Sequence, residues 1–491
     1  TSRESVWSEA VLRFTEALTH WKEQEDARAG LAELYWDRFR RADEARDATG
    51  MNTYHLLVEE FGGETYRAML RGEREVSVRF LLPPGAAEGD VEAWLYRYER
   101  KAVPPVLVPV PFEVKRGTSI AAGRLAEDAS FGRPVPLARA GEEEIVASVR
   151  EGSVYRLEPG ERNRVILGQA RGEPAARPYL QFGARLARGA YLLHIPAGGG
   201  RCEARYPFEI ARDIEWNEVC EIEGEALPPN LPAMPSGRAP WVFVCAGPFR
   251  ASGDPKASQS PERDAAILRA PNEGTAGYFL SRFEVTSAMY LEYLNDRSRH
   301  DAEAALRRTP RSESTATMAS LYWKPDAQGN LTLGWGAEYP VTSICWEDAD
   351  DYCKWATERA GQGTWVFELP TEDEWEKSAR GVDGRYFPWG DSFDPSFCKM
   401  GDARVGEMDY GQPEKVGLFP IDESPFGLRD LGGGVEEWVA DKGGPEGDWR
   451  TGKGGGWGLS PSGCRAAGRG YVWRALVCFN NGLRLLARRA R

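Results

Sequence analysis

The stretch "FELPTEDEWEKSARG" (Phe367–Gly381) announces a helix through its own chemistry. Thr371 stands as the N-cap and Glu374, three residues on, completes a capping box. Each side chain can satisfy an amide that the first helical turn leaves without a partner. Trp375 and Ala379 fall on one face, so this helix has one side to bury. Upstream, "ICWEDADDYCKWATERA" (Ile344–Ala360) follows the same logic. Ile344, Trp346, Ala349, Tyr352, Cys353 and Trp355 share a face, while Glu347, Asp348 and Asp350 suit a first turn, where the helix dipole favours acids. Beyond these helices the pattern changes to Gly beside Trp, in "RYFPWGD" (385–391) and "KGGGW" (453–457). Such segments need tight backbone turns locked by large rings. All of these residues read as scaffold.

Working outward, the motifs fall in a fixed order: "WVFVCAGPFRASG" from Trp241, "YFLSRFEVTSAMYLEYLND", "YPVTSICWEDADDYCKWA", "FELPTEDEWEKSARG", "RYFPWGD", "SPFGLRDLGGGVEEWVAD", "KGGGW" and "NGLRLL". This ordered series, over roughly 250 residues, resembles the sulfatase-modifying, formylglycine-generating-enzyme family. The resemblance implies a C-type-lectin-like fold with little regular structure, twisted short strands and a few helices.

The resemblance also sets a chemical test. Oxidase members of the family use two closely spaced cysteines after a Gly-Gly-Ser-aromatic motif, since two thiolates hold a soft Cu(I) ion and one must meet the substrate thiol. Here the matching motif is "KGGGW"; the first cysteine position falls on Leu459, and Cys464 remains while Cys478 is too far along the chain. The oxidase activity is therefore not expected. A second branch, the sulfoxide synthases, needs histidines and a carboxylate for non-haem iron. The four histidines, His20, His55, His194 and His300, are scattered and none follows His300, so that branch is excluded on sequence. The family's calcium site draws on Asn and Glu of a "GNVWEW" motif. In "GGGVEEW" Glu437 survives and Gly434 replaces the Asn, so no metal is expected and Glu437 reads as exposed or hydrogen-bonded. Cys464 acting alone would be a thiol without a partner, which is a structural role. No cofactor is expected.

The segment after "KGGGW" has an odd composition. Between Trp457 and Gly482 there is no Lys, Glu, Gln, Asp or Met, although 28% of the chain is charged. Within this fold class, the variable proteins of diversity-generating retroelements carry a C-terminal segment mutagenised at template adenines. Lys, Glu, Gln, Met and Trp cannot be reached from Asn codons by changing their two adenines, and apart from Trp473 the segment 458–481 contains none of them. "GGGW", "CRAA" with the following Arg, and "GLRLL" look like a fixed skeleton. Between them lie Gly458, Leu459, Ser460, Ser462, Gly463, Gly468, Gly470, Tyr471, Val472, Trp473, Ala475, Leu476, Val477, Cys478 and Phe479, with Asn480 and Asn481 as unmutated template residues. Tyr471, Val472, Trp473, Leu476, Val477 and Phe479 do not alternate as a core strand would, and exposed rigid aromatics beside small residues are the composition of an adaptable binding surface.

The rest of the chain frames that surface. At 491 residues, two or three domains are expected. A net charge of -13 speaks against nucleic-acid and anionic-membrane partners, which demand a basic face. Arg484, Arg488, Arg489 and Arg491 read as a solvated tail. Eight single cysteines without zinc spacing read as reduced, mostly buried thiols of a cytoplasmic protein. From Ser5 to Gly72 the apolar spacing is helical, and "AVLRFTEAL" with "ARAGLAELYWDRF" resembles tetratricopeptide-type helices, a spacer at residues 1–73. Period-two stretches such as "VSVRFLLPP", "AWLYRYER", "PVLVPVPFEV", "SVYRLEP", "YLLHIP" and "RYPFEIARD" predict a β-rich region at 74–224, similar to PEGA-like repeats in "ARGAYLLHIPAGGGRCEARYPFEI". "EALPPNLPAMPSGRAP" is a Pro-rich linker at 225–240, and 241–491 is the lectin-like domain.

The expected fold class is α+β: a C-type-lectin-like domain of the formylglycine-generating-enzyme subtype, preceded by an all-β region and a helical segment. The expected function is non-catalytic binding of a protein or other macromolecular ligand through the diversified surface at 458–481. The domain order also resembles the region that follows bacterial serine/threonine kinase domains, which makes an upstream kinase and a fixed-ligand sensor the rival expectation.

Overall fold

A computed structural model describes residues 3–21, 24–44, 47–63, 66, 69–70, 74–82, 89–99, 106–109, 164–171, 178–186, 188–210, 216–221, 241–259, 266–269, 277–313, 317, 319–360, 365–401, 403, 413–444 and 447–490. The chain divides into two compact units. The first comprises Thr1–Val76 with Arg185–Arg188 and Ile210–Glu215. It holds helices α1 (Arg3–His20), α2 (Glu25–Glu44) and α3 (Ala48–Phe61), matching the helical spacing of the sequence. Leu31, Tyr35, Phe39 and Val58 form their core, with Trp7, Val11, Phe14 and Leu18 of α1 packed against it. Asp47 caps α3, its carboxylate accepting from the Thr49 and Gly50 amides. Among the described residues no helix is long and apolar enough to cross a membrane.

The second unit contains the remaining strands and the C-terminal helices. Strands β1 (Arg74–Leu81), β2 (Val91–Glu99), β3 (Val106–Pro109), β6 (Gly189–Ile195) and β7 (Ala204–Ile210) coincide with stretches of period-two sequence. Strands β4 (Arg164–Arg171), β5 (Pro178–Leu186) and β8 (Trp216–Glu221) were not marked by that period. "SVYRLEP" and the Pro-rich linker 225–240 lie outside the described residues. On either side of that linker, β7 and β9 (Trp241–Val244) are parallel neighbours, with Arg205 opposite Val244. A single twelve-stranded sheet therefore runs from the β-rich region into the C-terminal domain, through β9, β12 (Tyr278–Ser281), β18 (Leu486–Arg489) and β13 (Trp365–Glu368). Arg205 adds a buried ion pair across the junction, donating to Glu423 at 2.8 Å, and the Arg385 guanidinium lies 4.4 Å from the Tyr98 ring centroid.

In the C-terminal domain, a short ladder of β10 (Phe249–Ser252) with β11 (Ala266–Arg269) accompanies helices α4 (Ser287–Ser298), α5 (Ala302–Arg308), α6 (Trp346–Arg359) and α7 (Glu372–Arg380). The capping box of α7 is present: Thr371 Oγ1 accepts from the Glu374 amide at 3.3 Å, and Glu374 Oε2 accepts from the Thr371 amide at 2.8 Å. Trp375 and Ala379 point into the core with Val242, Val244, Leu280, Leu431 and Val439. On α6, Ala349, Tyr352, Cys353 and Trp355 are buried as expected, whereas Trp346 is half-buried at the helix start. A second, four-stranded sheet has the order β16 (Gly470–Trp473), β15 (Trp449–Lys453), β14 (Glu436–Lys442), β17 (Asn481–Gly482).

Arg484 and Arg488 depart from the expected solvated tail, whereas Arg489 is exposed and Arg491 lies outside the described residues. Arg484 has no exposed surface, because Leu483, Leu485 and Leu486 carry the strand into the core and Glu437 meets its guanidinium there. Arg484 also donates to the carbonyls of Ser281, Arg429 and Asp430. Arg488 pairs with Glu374 at 2.9 Å, and Arg489 lies over the Trp365 ring. Removing one partner of a buried pair like Arg484–Glu437 typically costs about 3–5 kcal/mol, since the other is left as an uncompensated charge.

Candidate functional site

The segment that carries the compositional anomaly lies on the four-stranded sheet and the loops around it. β16 ends that sheet, pairing antiparallel with β15 through Trp449 with Trp473, Arg450 with Val472, Thr451 with Tyr471 and Gly452 with Gly470. Three large side chains stand well out of the protein: Trp473 at 44%, Leu476 at 46% and Phe479 at 58% exposure. Gly458 and Ser460 are exposed too, and Leu459, Ser462, Gly463, Gly470, Tyr471, Val472, Ala475, Val477 and Cys478 are half-buried. Trp473 meets Trp449 edge-on at 6.0 Å between ring centroids, and Phe479 leans on Trp457 at 5.1 Å.

Three expected surface positions belong to the interior instead. Gly468 is buried among backbone carbonyls that leave no room for a Cβ, the Arg465 oxygen lying 2.9 Å from where one would be. Asn480 and Asn481 are buried because they form and flank β17, where the Asn480 carbonyl accepts from the Glu436 amide at 2.8 Å. The residues between the expected surface positions are held in place. Cys464, Ala466 and Ala467 are buried, and Arg465 is tied to the buried Asp254 at 2.5 Å. Arg469 pairs with Glu372 at the start of α7, and Arg474 reaches Glu347 at 3.3 Å and Asp448 at 3.4 Å.

Beneath this surface sits a residue the sequence reading passed over. In the doublet Glu436–Glu437 the strand alternation sends the two carboxyls to opposite faces. Glu437 goes inward: it accepts from Arg484 and, at 2.7 Å, from Trp375 Nε1, so it is hydrogen-bonded and fully buried. Glu436 goes toward the variable segment and is 7% exposed. Burial pushes its carboxyl up to about 7, against a lowering by the Asn481 amide. The signal was present in the sequence as an acid doublet inside a strand, one more acid than the pattern needs.

The thiols correct a second expectation. Cys464 is not without a thiol partner: Cys398, from a distant part of the chain, lies beside it in a cluster with Phe387, Trp389, Phe397 and Met400. The Cys464 hydrogen bond and then burial hold the Cys398 thiol well above its ordinary value. Both cysteines have no exposed surface, so neither is presented to an incoming substrate. The family's calcium position fits no cation either. Gly434 supplies no side-chain oxygen, and a Cβ there would come within 2.5 Å of Glu284 Oε1. Glu437, the surviving acid, is engaged by Arg484 and Trp375. Among the described residues no group of three or more His, Cys, Asp or Glu could hold a metal ion.

Comparison with known proteins adds the following. The family described as "Sulfatase-modifying factor enzyme 1-like domain" matches residues 232–489. The inactive C-alpha-formylglycine-generating enzyme 2 of Bos taurus is 32% identical over 146 residues, 27% of this chain and 46% of that protein. This chain thus spans less than half the length of that relative. The formylglycine-generating enzyme of Mus musculus is 27% identical over 316 residues, 55% of this chain and 80% of that protein. Among solved structures, Treponema denticola variable protein 1 aligns at 16% identity with a TM-score of 0.35, covering 50% of this chain and 94% of that one.

Proposed function

The chain belongs to the sulfatase-modifying factor enzyme 1-like domain family, a family with both active and inactive members among its relatives, and from that premise we propose that this chain is a non-catalytic binding protein. Its ligand is a protein or other macromolecule, held by the exposed part of 458–479. The observation that carries the reading is the placement of Trp473, Leu476 and Phe479 in the open on an end strand and its following loop, with half-buried neighbours between them, while the skeleton stretches 464–468 and 480–487 before and after them are buried. Large apolar side chains clustered in water mark a surface that another molecule covers. The oxidase alternative has less support, since Leu459 occupies the first cysteine position and Cys464 is buried.

Replacing Tyr471, Trp473 and Phe479 together by Ala should abolish capture of the macromolecular ligand while the melting temperature holds; capture at the parental level by a folded variant removes the site assignment. We further propose that the surface is diversified by a retroelement. Deep sequencing of the gene's 3′ end across a population should find substitutions concentrated in the codons between Trp457 and Asn480 and absent from Gly468, Gly470, Asn480 and Asn481. An invariant 3′ end would leave a surface with one dedicated ligand, as in a kinase-linked sensor.

A further inference from the structure

Most buried acids of the C-terminal domain have a cation in contact. Glu437 has Arg484, Glu376 has Lys453 and Arg380, Asp348 has Arg311, Glu423 has Arg205 and Arg429, and Asp254 has Arg465. Of those without one, Asp422 accepts from the Leu431 and Gly432 amides and Asp430 from the Gly417 amide, whereas among the described residues Glu436 has neither a cation nor a backbone donor. It is more than nine-tenths buried, yet among the described residues no arginine or lysine pairs with it. The Asn481 amide stands beside it, and neither polar atom of that amide makes a hydrogen bond of normal geometry among the described residues.

The carboxyl packs against bare backbone, in the room that two missing Cβ atoms leave. Gly452 and Gly470 face each other across β15 and β16, and a Cβ at Gly470 would fall 1.9 Å from Glu436 Oε1, one at Gly452 within 2.7 Å of its carboxyl carbon. The other titratable neighbour is the Cys478 thiol, which burial and then the Glu436 charge push up to about 11, so it is neutral. Glu437 and Arg484 lie on the opposite face of β14.

A buried acid beside an amide, with no cation supplied by the chain, is complementary to one kind of group. We propose that Glu436 and Asn481 form the floor of a subsite that receives an ammonium or guanidinium group of the ligand. The proposal rests on the reading of this surface as a binding surface and adds the chemical class that it selects. A neutral donor would gain a single hydrogen bond there, whereas a cation gains a charge-assisted bond in a partly desolvated site.

The test uses the full chain and benzamidinium chloride as the probe, with benzyl alcohol as its neutral counterpart. Carbon-13 NMR follows the Glu436 side-chain carboxyl through a pH titration, its signal identified by its loss in Glu436→Gln. Saturating benzamidinium should lower the proton affinity of Glu436 about tenfold, because a bound cation favours the ionised form. Benzyl alcohol should leave it unchanged, and Glu436→Gln should fold and no longer bind benzamidinium. A Glu436 titration unmoved by benzamidinium, or moved equally by benzyl alcohol, overturns the proposal. If in that case benzamidinium still shifts the Trp473 indole signal, the surface retains its role and only the cation subsite is rejected. Failure of the surface reading itself shows elsewhere, in undiminished macromolecular capture by the triple alanine variant.

Discussion

At the scale of single residues, Glu436 makes the clearest stability prediction. Its folded pKa of about 7 stands above the ordinary carboxylate value, so the native chain keeps a proton that the unfolded chain releases. Stability contributed by this group is full below the unfolded value and is lost as pH rises toward 7. Glu436→Gln is neutral throughout and escapes that loss. Relative to the parent it should gain up to about 3 kcal/mol between about pH 5 and about pH 8, read from denaturant midpoints. Asp430, also pushed up by burial, to about 6, is common to both proteins and cancels in the difference. Parallel pH profiles for the two proteins would mean that Glu436 is not buried as described. This residue also shows where sequence reading stops. The doublet "EE" was legible as strand sequence, but which acid points inward depends on Arg484, nearly fifty residues away, arriving at Glu437. The same limit hid the Cys398–Cys464 contact, since spacing along the chain carries no information about thiols brought together by the fold.

At the scale of elements, the helices were legible and the edge strand partly so. Capping box, acidic first turn and apolar face all agreed for α7, and local signals that agree with one another are reliable. β16 gave no alternation because it ends its sheet and both of its faces are partly open, its four residues being half-buried or exposed. Gly470 within it was read as a variable surface position, yet its missing Cβ is what admits the Glu436 carboxyl. Gly470→Ala should therefore destabilise the chain by about 1–3 kcal/mol, the usual penalty of overpacking. The loss should shrink in a Glu436→Ala background, where the colliding group is gone, and a double-mutant cycle of thermal or chemical melts measures that coupling. Additive effects of the two substitutions would show that the glycine serves β16 in some other way.

At the scale of the whole molecule, the C-terminal domain was recognisable from its ordered motifs, and the family match over 232–489 agrees with them. The continuity of the large sheet was not recognisable. A Pro-rich stretch reads as a separator, and nothing in it reveals that β7 and β9 on its two sides will pair. That pairing depends on residues distant in sequence, Arg205 and Glu423 among them, whose contact only a folded chain displays.

The exposed side chains of the C-terminal surface have a consequence for the history of the protein. Trp473, Leu476 and Phe479 contribute little to the core, whereas the skeleton on both sides is anchored by Arg465, Arg469, Asn481 and Arg484. Substitutions at such outward positions usually change stability by no more than about 0.5 kcal/mol. New side chains can therefore accumulate there together without eroding the fold, and a lineage can sample many recognition chemistries in parallel while each descendant remains foldable.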